Sequence, residues 1–377
     1  MLPHQPDLAP LPDPPAEAST SRWCNVPVFV ALGLASAAVG WGIGEYWEGP
    51  DIGPVTLSLA LVLGIPGVLA VHEVGHVVGG RLARFQFALF IAGPLRIWRE
   101  GERIRVGLNK SLALAGGLAL SLPTDSANLR QRTALAVAGG PVASLLLGVA
   151  GVALGGAWGI IGIVSLGIAA VTLIPTTTSG FLTDGARLLR LAQGGGAADR
   201  EAALLALVAE SISGARPREW TPELVARSSV EPVPGDPLAD SGWALATAVA
   251  LDRGDAHATR DLLVRRIGVW ETIPPATRGG LVGDAALFEA AVRGDAGQAR
   301  TWLDRMPPRA VLADPAGQAL VEAFVLRAEG DLDAARIQIG TARESLSGGL
   351  DEGMAVTRRD WLDALESTLD RQRESAA

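Results

Sequence analysis

The sequence has few of the residues that form covalent or metal cross-links. Among its 377 residues there is one cysteine, Cys24, and there are four histidines. A single cysteine excludes an intrachain disulfide and a cysteine-based zinc site. Lysine also occurs once, as Lys110, and aromatic residues make up 5% of the chain. Any metal site in this chain would therefore have to be built from histidine and carboxylate side chains.

Charge is scarce and unevenly distributed. Charged residues make up 19% of the chain and hydrophobic residues 49%, with a net charge of −8 and a mean hydropathy of +0.29. So apolar a composition excludes a disordered protein, and a pI of 5.2 argues against a nucleic-acid partner. Residues 1–192 have a net charge of +1 and residues 193–377 a net charge of −9. This division predicts a membrane half followed by a soluble half.

Four long apolar runs predict membrane-spanning helices, at residues 26–44, 55–80, 133–157 and 158–174. Arginines and Lys110 lie after the second and fourth runs, whereas the loop at 45–54 contains only acidic charges. The positive-inside rule therefore predicts that both termini are cytoplasmic. The preference for Arg over Lys, with much Ala and Gly, is typical of high-GC bacterial genomes, so we expect a multi-pass protein of the bacterial cytoplasmic (inner) membrane.

The fold class predicted from these runs is an all-α polytopic membrane protein, with about four transmembrane helices plus a membrane-associated β-hairpin and a soluble α-helical repeat domain. The hairpin is predicted at 96–106, where apolar and charged residues alternate around Gly101. The flanking apolar pieces 85–95 and 112–123 are too short to cross, and we expect re-entrant or interfacial segments there. An ordinary interfacial loop is the alternative. The predicted domains are a proline-rich disordered tail (1–22), the transmembrane domain (23–192) and the cytoplasmic repeat domain (197–377).

The second half contains a recurrent Gly-Asp pair. The pairs start at Gly254, Gly294 and Gly330, and each is followed at fixed distances by a small and then an aliphatic residue. This pattern resembles the turn and second helix of tetratricopeptide-type helical hairpins. The match is loose, because the period is irregular, and an irregular helical solenoid is the safer expectation.

The main chemical signal lies inside the second predicted span. His72-Glu73-Val74-Gly75-His76 places two imidazoles four residues apart, on one face of a helix, where both can bind one metal ion. Glu73 is then placed to act as a general base. Ionisable groups within a span are costly and usually functional. In the alternative interpretation, these residues have only a structural role and pack their polar side chains between the spans.

A catalytic zinc site requires a third protein ligand. His4 lies in the predicted tail and His257 in the repeats, so a carboxylate must supply it. Asp184 follows the fourth span on the same side as the two histidines, and a helix N-cap is its alternative role. Asp125 is the second candidate ligand. The residues alone therefore favour a zinc site with His72 and His76 as two ligands and either Asp184 or Asp125 as the third.

These motifs together resemble the site-2 protease family of intramembrane zinc metalloproteases. The resemblance covers about residues 55–192 and consists of His-Glu-x-x-His, Gly-Gly-Pro-Val-Ala-Ser at 139–144, and Asp-Gly at 184–185. It implies that His72, His76 and Asp184 bind zinc, that Glu73 is the general base and acid, and that the hairpin receives substrate as an added strand. Ser144 and Thr172 stand where the family usually has Asn, which affects substrate positioning and rate more than zinc binding.

The implied function is hydrolysis of peptide bonds in transmembrane substrates, either membrane-anchored regulators or signal-peptide remnants, near the cytoplasmic face. The expected partners are a transmembrane protein or peptide substrate, the lipid bilayer, and a cytoplasmic protein bound through the helical repeats; no nucleic acid is expected. The competing interpretation is a weak or inactive membrane scaffold whose repeats recruit partners. A small transporter is a third interpretation. It is disfavoured because many transporters contain inverted repeats, which this sequence does not show.

Overall fold

The computed structural model describes residues 4–15, 54–109, 117–178, 181–232, 236–273, 275–307, 314–346 and 351–376. Within these ranges there are thirteen α-helices, one π-helical turn and six short strands. The predicted span at 26–44 lies outside the described residues. So do residues 1–3 and 16–22 of the predicted tail.

Three of the described helices are long and apolar enough to cross a membrane. They are α1 (Pro54–Leu82), α2 (Leu129–Leu154) and α3 (Gly156–Leu173), at the positions predicted for the last three spans. Their outward faces carry exposed aliphatic side chains such as Val62 and Leu146, each 68% exposed. A face of this composition suits lipid better than water.

Glycines bring these helices into close contact. At Gly75 and Gly139, a Cβ atom on either residue would overlap the backbone carbonyl of the other. Gly151 and Gly162 likewise bring α2 and α3 together. Small residues at these positions permit the close approach of the helix backbones.

Between α1 and α2 the chain forms a four-stranded antiparallel sheet. Its strands are β1 (Phe85–Ala92), β2 (Leu95–Glu100), β3 (Arg103–Leu108) and β4 (Leu118–Pro123), in the order β3-β2-β1-β4. The predicted hairpin is present as β2 and β3, which pair Arg99 with Ile104 and turn at Gly101.

The flanking pieces correct the expectation of an all-α domain with a single hairpin. Within these two pieces, the described residues 85–92 and 118–123 are paired strands rather than re-entrant segments, because β1 and β4 pair with each other and bury Phe85, Ile91 and Leu122. Residues 112–116 lie outside the described part of the chain. Short apolar runs have the same composition whether they enter a membrane or fill a sheet.

The chain then passes through a two-stranded ribbon, β5 (Thr177–Thr178) and β6 (Phe181–Leu182), into α4 (Asp184–Gln193) and α5 (Gly195–Ile212). Helix α5 packs on the membrane half at three places. Ala202 joins a buried cluster with Leu129 of α2. Ala209 packs against Leu122 of the sheet, and Ala198 against Val137. The hydrophobic core is therefore continuous from α2 and the sheet into the first helix of the acidic half.

The rest of the chain is helical. The helices are α6 (Pro222–Ser228), α7 (Ala239–Arg253), α8 (Ala256–Gly268), α9 (Gly279–Leu287), α10 (Ala296–Leu303), α11 (Pro315–Glu329), α12 (Leu332–Leu346) and α13 (Glu352–Ala376). A π-helical turn, Phe288–Arg293, follows α9 directly. Short 3-10 turns occupy Pro217–Glu219, Trp270–Thr272 and Pro275–Thr277.

Each Gly-Asp pair lies at the turn of a helical hairpin. The three glycines have φ angles of 71°, 74° and 89° and end α7, the π-helical turn and α11. The aspartates that follow cap the next helices, accepting backbone hydrogen bonds at 2.9–3.0 Å from Ala258, Gln298 and Ala334. Glycine permits the left-handed turn and aspartate satisfies a free N–H group. The helical hairpins predicted from this pattern are therefore present at all three positions.

Residues 4–15 lie against this helical half, in contact with α8, the π-helical turn and α10. Leu11 is 3% exposed and belongs to the same core cluster as Phe288 and Trp302. This position differs from the disordered tail that the composition predicts. A proline-rich segment cannot form a core of its own, but it can be ordered by one that the rest of the chain provides.

Candidate metal centre

Helix α1 brings the two predicted imidazole ligands together. His72 and His76 lie one turn apart, and their ring centroids are 4.9 Å apart with the rings at 85° to each other. Their Nε2 atoms are separated by 3.3 Å. His72 is 4% exposed and Glu73 9% exposed, so the centre lies within the packed helices.

Asp184, at the first residue of α4, completes the group. Its Oδ2 atom lies 3.1 Å from His72 Nε2 and 3.5 Å from His76 Nε2. The N-cap of α4 is Thr183, whose hydroxyl accepts a hydrogen bond from Ala186 N at 3.3 Å. Because Thr183 performs the capping, the Asp184 carboxylate is left to face the histidines. The structure thus brings together all three predicted ligands.

The donor atoms fit a zinc ion. Bonds of about 2.0–2.1 Å at tetrahedral angles place neighbouring ligand atoms about 3.3 Å apart. The three separations here are 3.1, 3.3 and 3.5 Å, so the atoms form one face of such a tetrahedron. Two imidazoles and a carboxylate also make a set known from catalytic zinc sites. The residues present could therefore hold zinc and leave a fourth position free.

The opposite nitrogens of the rings are held by α2. His76 Nδ1 donates to the Ala136 carbonyl at 3.2 Å, and His72 Nδ1 lies 2.9 Å from the Ser144 hydroxyl. The fully buried Ser165 in turn donates to the Ser144 carbonyl at 2.8 Å. Contacts of this kind fix the tautomer and orientation of a histidine ligand. The sequence indicates Ser144 only as a departure from a motif; its contact with His72 depends on which face of α2 meets α1.

Gly140 provides the space in front of the ligands. A Cβ atom at this position would overlap His76 Nε2 and lie 2.8 Å from His72 Nε2. Any residue other than glycine at position 140 would therefore obstruct the place where the three ligand atoms meet. The neighbouring Gly139 has the different role of packing against Gly75. The sequence pattern alone does not distinguish the roles of these two adjacent glycines.

Glu73 faces the beginning of β4. The Ala119 backbone amide is directed at its carboxylate, and a Cβ at Gly117 would lie 2.5 Å from Glu73 Oε1. Strand β4 pairs with β1 along one edge, and no other described strand pairs with its second edge. The predicted general base thus lies beside the edge strand β4, rather than beside the β2–β3 hairpin.

The other candidate residues lie elsewhere. Asp125 forms an ion pair with Arg132 at 2.6 Å and accepts a hydrogen bond from Ala127 N, so it does not join the centre. His4 contacts the turn at Gly294 instead. Thr172 donates to the Ala169 carbonyl of its own helix at 3.3 Å.

Helix α4 is held in place by ion pairs to the acidic half. Arg187 contacts Glu201 at 2.6 Å and Arg190 contacts Asp236 at 2.9 Å.

Burial raises the pKa of the Asp184 carboxyl, but the hydrogen bonds and charges of the two imidazoles outweigh it and hold this pKa well below its usual range. The Asp184 carboxylate is therefore oriented toward the two imidazoles.

Comparisons with known proteins identify no relative of this chain. No family model, no curated protein and no solved structure matches the chain. The function must therefore be argued from the geometry of the site.

Proposed function

We propose that this chain is an intramembrane zinc metalloprotease that cleaves transmembrane substrates near the cytoplasmic face. One observation carries the proposal: His72, His76 and Asp184 present three donor atoms within 3.1–3.5 Å of one another, next to the carboxylate of Glu73. Such a donor set suits a metal that polarises a carbonyl and activates water. The same set also occurs at non-haem iron sites, so the experiment below identifies the metal.

Glu73 is the group that moves protons. Its carboxylate takes a proton from the attacking water and delivers it to the leaving amine of the cleaved peptide bond. This carboxylate lies beside the start of β4, where a Cβ at Gly117 would be 2.5 Å from Glu73 Oε1. His72 and His76 keep their Nε2 atoms directed at the centre because Ser144 and Ala136 hold their Nδ1 atoms.

The edge of β4 is the surface on which we propose that substrate binds. A substrate helix conceals its carbonyls in hydrogen bonds and must be unwound before hydrolysis. An extended segment added to β4 keeps its backbone paired while it passes Glu73. This assignment moves the proposed binding strand from the hairpin, expected from the resemblance, to the strand that lies beside the general base.

The docked N-terminal segment supports a topology with both termini in the cytoplasm. Residues 4–15 contact the acidic helical half, so both lie on one side of the membrane. Three of the described helices lie in the chain between residues 4–15 and the helical half, and each could cross the membrane. An odd number of crossings would separate the two parts, and the span predicted at 26–44 supplies the fourth. Both termini then lie on the same side of the membrane as the arginine-rich segments, and in a bacterial inner membrane this is the cytoplasmic side.

Metal analysis and one variant test the proposal. We expect the purified protein to contain about one zinc per chain, and Glu73→Gln to retain it. The variant should cleave a single-span substrate at least about 100-fold more slowly, because it cannot accept the proton. Glu102→Gln, whose side chain is 95% exposed in the β2–β3 turn, is the matched control.

Three results would contradict the proposal. If the purified protein folds and binds partners but contains no stoichiometric metal, it is the inactive membrane scaffold of the competing interpretation. Equal cleavage by Glu73→Gln would place the catalytic group elsewhere, and stoichiometric iron would exclude zinc chemistry.

A further inference from the structure

The N-terminal segment occupies a groove on the helical half that has the features of a peptide-binding site. Residues 4–15 read His-Gln-Pro-Asp-Leu-Ala-Pro-Leu-Pro-Asp-Pro-Pro, with five prolines in twelve residues. Prolines restrict the backbone to extended conformations and lower the entropy lost on binding. The segment therefore resembles the ligands that proteins recognise in extended form.

Glu289 is positioned to bind the backbone of this segment. It lies fully buried in the π-helical turn, and its Oε1 accepts the Leu11 N–H at 2.8 Å. Its Oε2 accepts from Arg293 at 2.6 Å. Among the described residues, Leu11 supplies the only hydrogen-bond donor to Oε1. Without the peptide, a buried carboxylate oxygen would have no donor, which is costly. π-Helical turns are frequent at functional sites.

Other contacts also recognise the main chain rather than side chains. Arg293 Nε donates to the Leu8 carbonyl at 2.9 Å, and Arg260 Nε donates to the Ala9 carbonyl at 2.8 Å. At the start of the segment, Gln5 N donates to the Val292 carbonyl at 2.7 Å. Four backbone groups of one short segment are thus paired by the groove. Backbone pairing of this kind accepts any extended peptide.

Side chains of the segment are recognised mainly in the pocket around Leu11; Gln298 Nε2 also donates to Asp13 Oδ1 at 3.1 Å, and Pro14 is buried. Leu11 is inserted into the hydrophobic cluster of the helical half, and Leu8 packs against the same cluster. Pro10 and Pro12 lie on either side of Leu11 and have no N–H group to satisfy. A buried leucine between two prolines is therefore the element that distinguishes one extended peptide from another.

We propose that Arg260, Glu289, Arg293 and the Leu11 pocket form a binding site for extended Pro-Leu-Pro peptides, and that residues 4–15 are its resident ligand. The site holds residues 4–15 against the helical half. A peptide of the same chemistry binds there in trans once the resident segment is released. This site is independent of the metal centre and of the proposed proteolysis.

Peptide binding to the full-length protein tests the site. The probe is a fluorescent peptide with the sequence of residues 1–16. Leu11→Asp in the full chain should release the resident segment, because a carboxylate cannot enter the apolar pocket. We expect saturable 1:1 binding to this variant, at least about tenfold tighter than to the unaltered chain, whose groove is occupied.

Two further variants separate recognition from misfolding. In the Leu11→Asp background, Arg260→Ala removes one surface contact to the peptide and should weaken binding by about tenfold while thermal unfolding is unchanged. Glu366→Ala, an exposed glutamate on α13, is the control and should bind normally. A probe that itself carries Leu11→Asp should not bind.

The proposal is overturned if the labelled peptide does not saturate the Leu11→Asp protein, or if the altered probe binds equally well. Equal binding to the unaltered chain would show that residues 4–15 do not occupy the groove.

Discussion

At the scale of single residues, the metal centre depends on the absence of a side chain. Gly140 lies where a Cβ would overlap His76 Nε2, so the three ligand atoms share space that this glycine leaves open. Its backbone is ordinary helix, and glycine in such a position lowers helix stability. The helix gives up part of its stability to keep the centre accessible.

We therefore predict that Gly140→Ala abolishes stoichiometric zinc binding without unfolding the protein. The methyl group displaces the imidazoles, although alanine raises helix propensity by up to about 1 kcal/mol. Gly167→Ala on α3 is the control, since a Cβ there meets no atom within 4 Å. Metal content and thermal unfolding in detergent measure the two effects. Full zinc occupancy in Gly140→Ala would mean that the ligands meet elsewhere.

Residue spacing predicts the ligands but not their supports. His72 and His76 are four apart on one helix, and Asp184 is the carboxylate left at the same level after the fourth span, so all three follow from local pattern and topology. Ser144 and Gly140 contact the histidines only because one face of α2 meets α1. That choice of face is set by the packing of glycines across two helices, which a single sequence does not encode locally.

At the scale of elements, the helical hairpins are fixed by short local signals. Gly330 ends α11 in the left-handed conformation and Asp331 caps α12 by accepting from Ala334 N at 3.0 Å. Both requirements are met by adjacent residues. This is why the sequence predicts the positions of these turns.

We expect Asp331→Ala to lower the free energy of unfolding by about 1 kcal/mol, because the Ala334 N–H loses its acceptor. Asp333→Ala, in the first turn of the same helix, is the control and should cost only a few tenths of a kcal/mol. Thermal or denaturant unfolding of the two variants measures the difference. Equal losses would indicate that charge near the helix end, rather than capping, stabilises the turn.

The sheet shows where local prediction fails. The β2–β3 hairpin is predicted because its strands are adjacent and alternate around Gly101. Strand β4 pairs with β1 across the intervening hairpin, joining Phe85 to Pro123. Pairing over this distance depends on the two other strands and on α5, which packs on Leu122. An apolar run of six to eight residues contains no information about that partner.

At the scale of the whole molecule, a buried charge network joins the helical half to the helix that carries Asp184. Asp236 pairs with Arg200 of α5 and with Arg190 of α4, the helix that begins with Asp184. The Asp236 side chain is almost completely buried. Buried ion pairs add little net stability when intact but are costly when one partner is removed.

We predict that Asp236→Ala destabilises the whole protein by about 3–5 kcal/mol, because two arginines lose their buried counter-charge. The proportion of zinc retained after dialysis against a chelator should also fall, since α4 loses one of its anchors. Asp199→Ala removes an exposed pair with Arg227 at 3.4 Å and is the control. Melting temperature and metal content report both effects. Unchanged zinc retention in an otherwise destabilised Asp236→Ala would separate the helical half from the centre.

The position of the N-terminal segment imposes an order on biosynthesis. Residues 4–15 are synthesised first, yet Glu289, which binds Leu11, is separated from it by 278 positions. At about 5–20 residues per second, the ribosome needs roughly 15–60 s to produce the groove after the segment has emerged. During that interval no groove is present to cover the leucines of the segment. Its docking is a late folding event, completed only after translation has passed the groove.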